Sequence, residues 1–235
     1  MSWIAGVDGC KNGWVAALRD LGRGDVTWER FDRLEDLLAS KYSPALVAID
    51  IPIGLAEAGY RVCDVQARRL LAGRASSVFP APIRPLLETA DYATANALSR
   101  EISGNGLSRQ SYGILAKVRE ADSIVRGAKP GLLREAHPEL AFIALKGNAL
   151  AQSKHHPLGL RERRALLADV HGEALVELEL RRKGTGVGIA DLYDALAVLE
   201  TAERLIRGAA CRVPERPPLD AFGLPMEITF FRYDG

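Results

Sequence analysis

Four aspartates carry the chemistry that this sequence predicts, and they come from three separate segments. Asp8 ends the apolar run in GVDGC, Asp50 ends ALVAID, and Asp191 and Asp194 both lie in ADLYDALA. Carboxylates brought together repel each other unless a cation lies between them. A set of hard oxygen donors without matching Cys or His residues favours Mg²⁺ or Mn²⁺ over zinc. We therefore expect the four aspartates to bind two such ions.

Two divalent ions held about 3.5 to 4 Å apart can activate a water and stabilise the leaving oxygen of a phosphodiester, which is the chemistry of nucleases. Each aspartate also has an ordinary explanation. Asp8 directly precedes Gly9, and Asp50 comes shortly before Pro52, so both could be turn residues. Asp191 could cap a helix N-terminus. The concurrence of three segments favours a shared site.

A sheet must bring Asp8 and Asp50 together. Three segments of strand length predict an antiparallel meander: WIAGVD (3–8), GWVAAL (13–18) and DVTWERF (25–31). The helical spacing of RLEDLLASKY then leads into ALVAID, an unalternated apolar run typical of a strand buried on both faces. If this fourth strand lies parallel beside the first, both aspartates lie at neighbouring carboxyl ends, where open α/β sheets place their sites.

Later segments predict helices and a fifth strand. Residues 55–130 are mostly helical in pattern around the Pro-rich SSVFPAPIRPLL, and residues 132–137 predict a strand beside the fourth. Helices follow in PLGLRERRALLADV and ADLYDALAVLETAERLIRG, and MEITFFRY adds a strand or packs along an edge. The predicted class is α/β, a mixed five-stranded sheet flanked by helices. We expect a single domain over residues 1–235 with a helical insertion at about 55–130.

The last helix must aim its two aspartates at the sheet. At 100° per residue, Asp191 lies inside the apolar arc of this helix and Asp194 at its edge. Tyr193 and Glu200 lie on the opposite face. Both aspartates are therefore expected to point toward the sheet rather than toward water.

The segment EAHPEL adds Glu139 and His137. If residues 132–137 form a strand, Glu139 follows its end and could be a further ligand or hold His137 in position. The alternative is a turn made by Pro138, with solvated glutamates.

Basic and hydroxyl side chains are candidates for substrate contacts. Arg74 and Arg84 bracket ASSVFPAPI, which contains Ser77. Guanidinium, hydroxyl and turn amide groups all bind phosphate. The alternative is a solvated helix face followed by a rigid Pro-rich loop, and for Arg61, Arg68 and Arg69 we prefer it.

Lys154, His155 and His156 follow one another in SKHHPLG. Lys154 is a further substrate candidate. Adjacent histidines cannot easily turn the same way, so they fit a turn before the next helix better than a metal site. Cys10 is a rival candidate as a nucleophile, but no base stands at a recognisable spacing from it.

The amino-acid composition limits the classes of protein to which this chain can belong. A chain of 235 residues with 48% hydrophobic residues can build a full core, and a formal net charge of +1 argues against a protein that coats nucleic acid through its overall field. Three widely separated cysteines indicate reduced thiols. No apolar run reaches the roughly 18 residues of a membrane span, and the first residues lack a signal-peptide layout. We expect a cytoplasmic protein without a membrane partner.

Several segments in combination resemble a known family: GVDGCKNGWVAA, AIDIPIGL, SSVFPAP followed by an arginine, EAHPEL, DLYDALA and GLPMEI. They are similar to the signature blocks of a bacterial and archaeal family of predicted ribonuclease H-like nucleases, domain of unknown function 429. The resemblance covers essentially the whole chain. It implies a ribonuclease H-like fold, which the order of the predicted elements also fits.

The resemblance also implies an acidic metal site, carried over here to Asp8, Asp50, Glu139, Asp191 and Asp194. In relatives a Gln and a Lys recur near SRQSYGILAK, which makes Gln110 and Lys117 further substrate candidates. Ala190 departs from the pattern, since relatives often carry an acid just before the aspartate at 191. The last helix therefore offers two carboxylates where relatives offer three.

The expected function is a metal-dependent nuclease acting on RNA, DNA or a small nucleotide-containing molecule. One alternative is a non-catalytic nucleic-acid or nucleotide-binding module of the same fold. Another is an ATP-dependent phosphotransferase of the actin and hexokinase type, in which VDGCKNGW would be a phosphate loop. Such kinases usually contain two duplicated domains, and the sequence has no second copy. The sequence does not predict the oligomeric state.

Overall fold

The computed structural model describes residues 2–71 and 78–233, and the chain forms two compact units. The sheet unit comprises Met1–Asp50, Gly131–Cys211 and Thr229–Gly235. The helical unit comprises Ile51–Pro130 and Arg212–Ile228. It contains the predicted insertion and adds a second, later segment. All the acidic residues predicted as ligands belong to the sheet unit.

Five strands of the sheet unit form one mixed sheet. Their bounds are β1 Trp3–Cys10, β2 Gly13–Asp20, β3 Val26–Phe31, β4 Leu46–Ile49 and β5 Leu133–Glu135. The order across the sheet is β3-β2-β1-β4-β5, with antiparallel pairing among the first three strands of the chain and parallel pairing of β4 with β1 and of β5 with β4. The predicted meander and the predicted parallel fourth strand are confirmed. A separate two-stranded sheet contains β6 Cys211–Val213 and β7 Ile228–Phe230.

Helices fill the intervals between the strands. Their bounds in chain order are α1 Leu34–Ala39, α2 Val62–Leu70, a 3-10 helix Arg84–Glu88, α3 Tyr92–Ser103, α4 Arg109–Gly113, α5 Leu115–Gly127, α6 Pro138–Lys146, α7 Pro157–His171, α8 Ala174–Arg181 and α9 Ile189–Ile206. Both α6 and α7 begin at proline, whose missing N–H costs nothing in a first helical turn. Along the part of the chain that the structure describes, no helix is both long and apolar enough to cross a membrane.

Helix α9 lies directly on β1 because Gly6 has no side chain. A Cβ at Gly6 would lie 2.1 Å from the backbone nitrogen of Leu199 and 2.4 Å from the carbonyl oxygen of Ala195. Such an approach of two backbones requires glycine. The main hydrophobic core of the sheet unit forms around this contact, and it includes Ile4, Val15, Ala48, Leu192, Val198 and Phe142.

The outer face of α9 is also buried. Tyr193 and Glu200 are 3% and 3% exposed, and Glu200 forms an ion pair with Arg19 of β2 although the helical pattern predicts it on the face opposite the sheet. Helices α6 and α7 pack against α9 and form a second layer over it. The prediction that Glu200 lies on the face opposite the sheet is wrong, and this face of α9 does not meet water.

Candidate active site

Strand register places Asp8 and Asp50 side by side. Val7 of β1 pairs with Ile49 of β4, and the backbone N–H of Asp50 donates to the Val7 carbonyl oxygen at 2.9 Å. Neighbouring strands lie about 4.8 Å apart, so Asp8 and Asp50 occupy adjacent positions on neighbouring chain segments. Asp8 is buried, and its Oδ1 accepts a hydrogen bond of 2.8 Å from the Gly9 N–H.

Asp8 does not stand at a turn, contrary to the ordinary explanation offered by its sequence. Strand β1 continues through Cys10, which pairs with Gly13 of β2, and the turn is at residues 11–12. It is β4, the parallel neighbour, that ends next to Asp8. The carboxylate therefore lies inside a continuous hairpin at the point where the parallel part of the sheet stops.

Helix α9 delivers Asp194 to the same place. Asp194 is 2% exposed, and its carboxylate oxygen Oδ2 accepts a hydrogen bond of 2.5 Å from Nζ of Lys154. Asp191 lies in the first turn of the helix, where a Cβ at Gly188, the N-cap residue, would lie 2.8 Å from its Oδ2. The side chain of Asp191 thus lies near the N-terminus of the helix, as expected for a capping residue. It is partly exposed.

Electrostatics show that Asp8, Asp50 and Asp194 form one group, which we call the acid cluster. Burial raises the pKa of Asp8 well above its ordinary value, and the charges of Asp194 and Asp50 raise it further, with a smaller contribution from Asp191. Burial also raises the pKa of Asp50, against the opposing effect of His137 and Lys154. Burial raises the pKa of Asp194 to about 6, against the effect of Lys154.

Lys154 is the countercharge of the acid cluster, a role that the sequence did not reveal. Burial on its own would lower the pKa of Lys154, but Asp194, Asp8 and Asp50 outweigh it and raise the pKa above its ordinary value. The sequence predicted Lys154 as a substrate contact. The structure instead joins its ammonium to a carboxylate, so a phosphate would have to compete with Asp194 for it.

Glu139 forms an ion pair with a buried arginine. It lies in the first turn of α6, two residues beyond the position where the predicted strand would have ended, and Arg163 of α7 forms an ion pair with its carboxylate. Arg163 is 0% exposed. Glu139 also raises the pKa of Asp50 and is therefore close to the acid cluster. Its role as a ligand stays a prediction, and the structure gives it a structural partner.

His137 is the N-cap residue of α6. Its Nδ1 accepts a hydrogen bond of 3.2 Å from the backbone N–H of Glu139. In the neutral ring the proton is then on Nε2. Glu139 thus helps to hold His137, as the sequence suggested, but it does so through its backbone. His156 caps α7 in the same way through the Leu158 N–H, which confirms the predicted turn before that helix.

A family model matches residues 6–219 of the chain, across both units. The chain belongs to the DUF429 family. Its description is "Protein of unknown function (DUF429)". No curated protein and no solved structure matches the chain.

Several predicted substrate contacts of this DUF429 protein belong to the helical unit. Gln110 is exposed in α4, and Lys117 is partly buried in α5. Arg74 and Ser77 lie outside the described residues. These four assignments stay predictions.

Two arginines of the DUF429 helical unit have structural partners. Arg84 forms ion pairs with Asp122 at 3.0 Å and with Asp220 at 2.5 Å, so its guanidinium is already bound by two carboxylates. Arg61, predicted on a solvated helix face, is 3% exposed and forms an ion pair of 2.5 Å with Asp64. The prediction of a solvated face is wrong for Arg61, because it also donates to backbone carbonyl groups of the loop before α2.

The donor types of the DUF429 acid cluster fit a hard divalent cation, since all three are carboxylates. In the described ranges, however, no group of three or more His, Cys, Asp or Glu side chains is arranged as a ready-formed metal site. The ammonium of Lys154 supplies positive charge at Asp194.

Proposed function

We propose that this DUF429 protein is a metal-dependent nuclease of ribonuclease H-like fold that hydrolyses phosphodiester bonds. The observation that carries the proposal is the convergence of Asp8, Asp50 and Asp194 from β1, β4 and α9, with the pKa of each carboxyl raised. Perturbed carboxyl groups gathered at the carboxyl ends of parallel strands are typical of catalytic sites. The strand order β3-β2-β1-β4-β5 supports the proposed fold.

The acid cluster would hold Mg²⁺ or Mn²⁺, with Asp191 next to it at the start of α9. When bound, such ions lower the pKa of water and neutralise charge on a phosphate group. The protein contributes a concentrated negative charge that attracts the cations and a strand framework that fixes two carboxylates. His137 lies close enough to the acid cluster to lower the pKa of Asp50.

The proposed substrates are RNA, DNA or a small nucleotide-containing molecule. A formal net charge of +1 gives little general attraction for long duplexes. A local or structured target fits this charge better.

A non-catalytic nucleic-acid or nucleotide-binding module is the second candidate. The observation that favours it is the Lys154–Asp194 ion pair, which compensates part of the negative charge within the chain itself. A protein of this kind would bind a nucleic acid or a nucleotide and leave its phosphodiester bonds intact.

A cleavage assay separates the two candidates. The substrates are end-labelled single-stranded RNA, single-stranded DNA and an RNA/DNA duplex, together with a chromogenic phosphodiester as a small substrate. We expect cleavage of at least one of them with Mg²⁺ or Mn²⁺ and none with EDTA. Asp8→Asn and Asp50→Asn should lower the rate by about 100-fold or more, because charge stabilisation is the largest part of such catalysis.

The matched control is Asp169→Asn, an aspartate exposed on α7, which should retain the full rate. Cleavage that persists in EDTA, or in Asp8→Asn, contradicts the proposal. Binding without cleavage of any of the four substrates supports the second candidate.

A further inference from the structure

Lys154 has no role in the proposed reaction, yet it lies where positive charge is needed. Its Nζ is 2.5 Å from Oδ2 of Asp194, and its side chain is 32% exposed, whereas the Asp194 side chain is 3% exposed. The lysine therefore reaches from solvent into a buried group of acids. The long aliphatic stem of lysine makes such a reach possible and reversible.

One ammonium group cannot neutralise the charge of three carboxylates. Asp8, Asp50 and Asp194 each interact electrostatically with Lys154, which spreads a single positive charge over three carboxylates. The mutual repulsion of Asp8, Asp50 and Asp194 persists, since the first is still affected by the other two. A divalent ion would compensate more of this charge than Lys154 does.

The loop that carries Lys154 is firmly held. A Cβ at Gly159 would lie 2.1 Å from the carbonyl oxygen of Ser153, so the loop lies directly against the first turn of α7. Arg163 donates to the Gln152 carbonyl oxygen at 3.1 Å. The lysine backbone is thus fixed next to the acid cluster, and only its side chain needs to move to leave it.

We propose that Lys154 is a resident counter-ion that a divalent cation displaces from Asp194. In the ion-free protein the ammonium stabilises the acid cluster and allows it to remain buried. Binding of the cation breaks the contact between Nζ and Oδ2 and releases the ammonium toward solvent. The identity of the cation, Mg²⁺ or Mn²⁺, rests on the proposed function.

Calorimetric titration with Mn²⁺ in the absence of substrate tests this exchange. Lys154→Met removes the competing charge and keeps the length of the side chain. We expect the variant to bind Mn²⁺ about tenfold more tightly than the unchanged protein, which corresponds to about 1.4 kcal/mol, because a neighbouring like charge no longer opposes the cation. Lys154→Arg keeps the charge and should bind Mn²⁺ as weakly as the unchanged protein does.

Thermal unfolding supplies a second readout. Without divalent ions, Lys154→Met should unfold at a lower temperature than the unchanged protein, because its acids lack a counter-ion. At saturating Mn²⁺ this difference should disappear or reverse, because ligand binding stabilises the folded state. If Lys154 has only a structural role, the unfolding temperature of Lys154→Met should stay below that of the unchanged protein even at saturating Mn²⁺. That outcome overturns the exchange.

Lys146→Met is the matched control. Nζ of Lys146 lies 2.5 Å from Oε1 of Glu162, its side chain is 27% exposed, and it also donates to the carbonyl oxygen of Ala149 in the same loop. Its loss removes an equally short ion pair and one anchor of the loop, but no charge from the acid cluster. We expect unchanged Mn²⁺ affinity. Tighter binding in this variant would attribute the effect to a loosened loop and overturn the exchange.

The exchange and the nuclease proposal fail in different ways. Equal Mn²⁺ affinity in Lys154→Met and the unchanged protein overturns the exchange alone. Tighter binding in Lys154→Met, together with intact phosphodiester substrates, overturns the nuclease alone. Absence of Mn²⁺ binding in both chains overturns both.

Discussion

Helix α9 carries two charged clusters with opposite charge balance. Near its N-terminus lies the acid cluster, with three carboxylates and the ammonium of Lys154. Further along lies an ionic cluster that joins two glutamates to three guanidinium groups: Glu200, Glu203, Arg19, Arg204 and Arg207. Arg19 pairs with Ile4 of β1, four residues before Asp8, so the two clusters lie at opposite ends of the same strands.

The difference in charge balance is consistent with a structural role for the ionic cluster and with the binding role proposed for the acid cluster. In the ionic cluster each glutamate contacts an arginine directly, which satisfies a buried charge and makes it costly to remove a partner. Burial lowers the pKa of His171, which faces Glu200 at 3.8 Å, so this ring stays neutral at physiological pH. The acid cluster keeps an excess of negative charge. Excess charge of one sign destabilises a fold, and groups with pKa values perturbed in this way are frequent at binding and catalytic sites.

Gly6→Ala should have the largest effect, because it disturbs both clusters. The added methyl group would overlap the backbone of Leu199, which cannot move without shifting α9. We expect a loss of about 3 kcal/mol in the free energy of unfolding, measured with urea, and loss of the stabilisation by Mn²⁺. Gly127→Ala is the control, since a Cβ there meets nothing within 4 Å. Unchanged stability in Gly6→Ala would contradict the close contact between α9 and β1.

Glu200→Gln should separate the two clusters. The Arg19–Glu200 ion pair is 2.7 Å long, and both side chains are largely buried. We expect a loss of about 2 kcal/mol in the free energy of unfolding, because the arginines lose a buried partner. The Mn²⁺ affinity should not change. Asp194→Asn should abolish the stabilisation by Mn²⁺ instead. A change of Mn²⁺ affinity in Glu200→Gln would show that the clusters are not independent.

The smallest expected effect is a pH dependence of the acid cluster. Burial raises the pKa of Asp194 to about 6 from the ordinary 3.8, so between these values the folded state binds more protons than the unfolded state. Stability should therefore fall as the pH rises through this range and level off above it. With EDTA present, we expect the free energy of unfolding of Asp194→Asn to rise relative to that of the unchanged protein between about pH 4 and about pH 7.

Urea unfolding at several pH values measures this difference. Gly127→Ala serves as the control, because it changes no titratable group and its added methyl group meets nothing within 4 Å, so its difference from the unchanged protein should stay constant over the same range. If the free energy of unfolding of the unchanged protein instead rises with pH relative to that of Asp194→Asn, the pKa of Asp194 is not raised.

The sheet and the pairing of Asp8 with Asp50 could be predicted because they depend on local patterns. In β1 an apolar run reaches Asp8, and β4 is an apolar run that ends just before Asp50. Parallel pairing of the two runs brings the two aspartates together. The turn was misplaced at Gly9 because pairing of β1 with β2 continues past the parallel part of the sheet. Local apolar content does not show where a hairpin closes.

Lys154 and Arg163 could not be assigned from the sequence. Lys154 lies in a polar loop without periodicity, and its partner Asp194 is distant in the chain. Arg163 sits among charged residues of α7, yet it is fully buried because Glu139 and two backbone carbonyl groups accept its hydrogen bonds. A helical wheel shows which side of one helix is apolar. It does not show which charges a neighbouring helix brings.

Because α9 packs directly on Gly6 of β1, the sheet unit cannot be completed until α9 has been synthesised. The ribosome releases β1 and β4 well before α9, so an unfinished chain holds Asp8 and Asp50 without Asp194. Long-range contacts of this kind form late, when the distant segment becomes available. A prematurely terminated product that lacks α9 therefore carries two of the three acids, leaves Lys154 without Asp194, and cannot assemble the acid cluster.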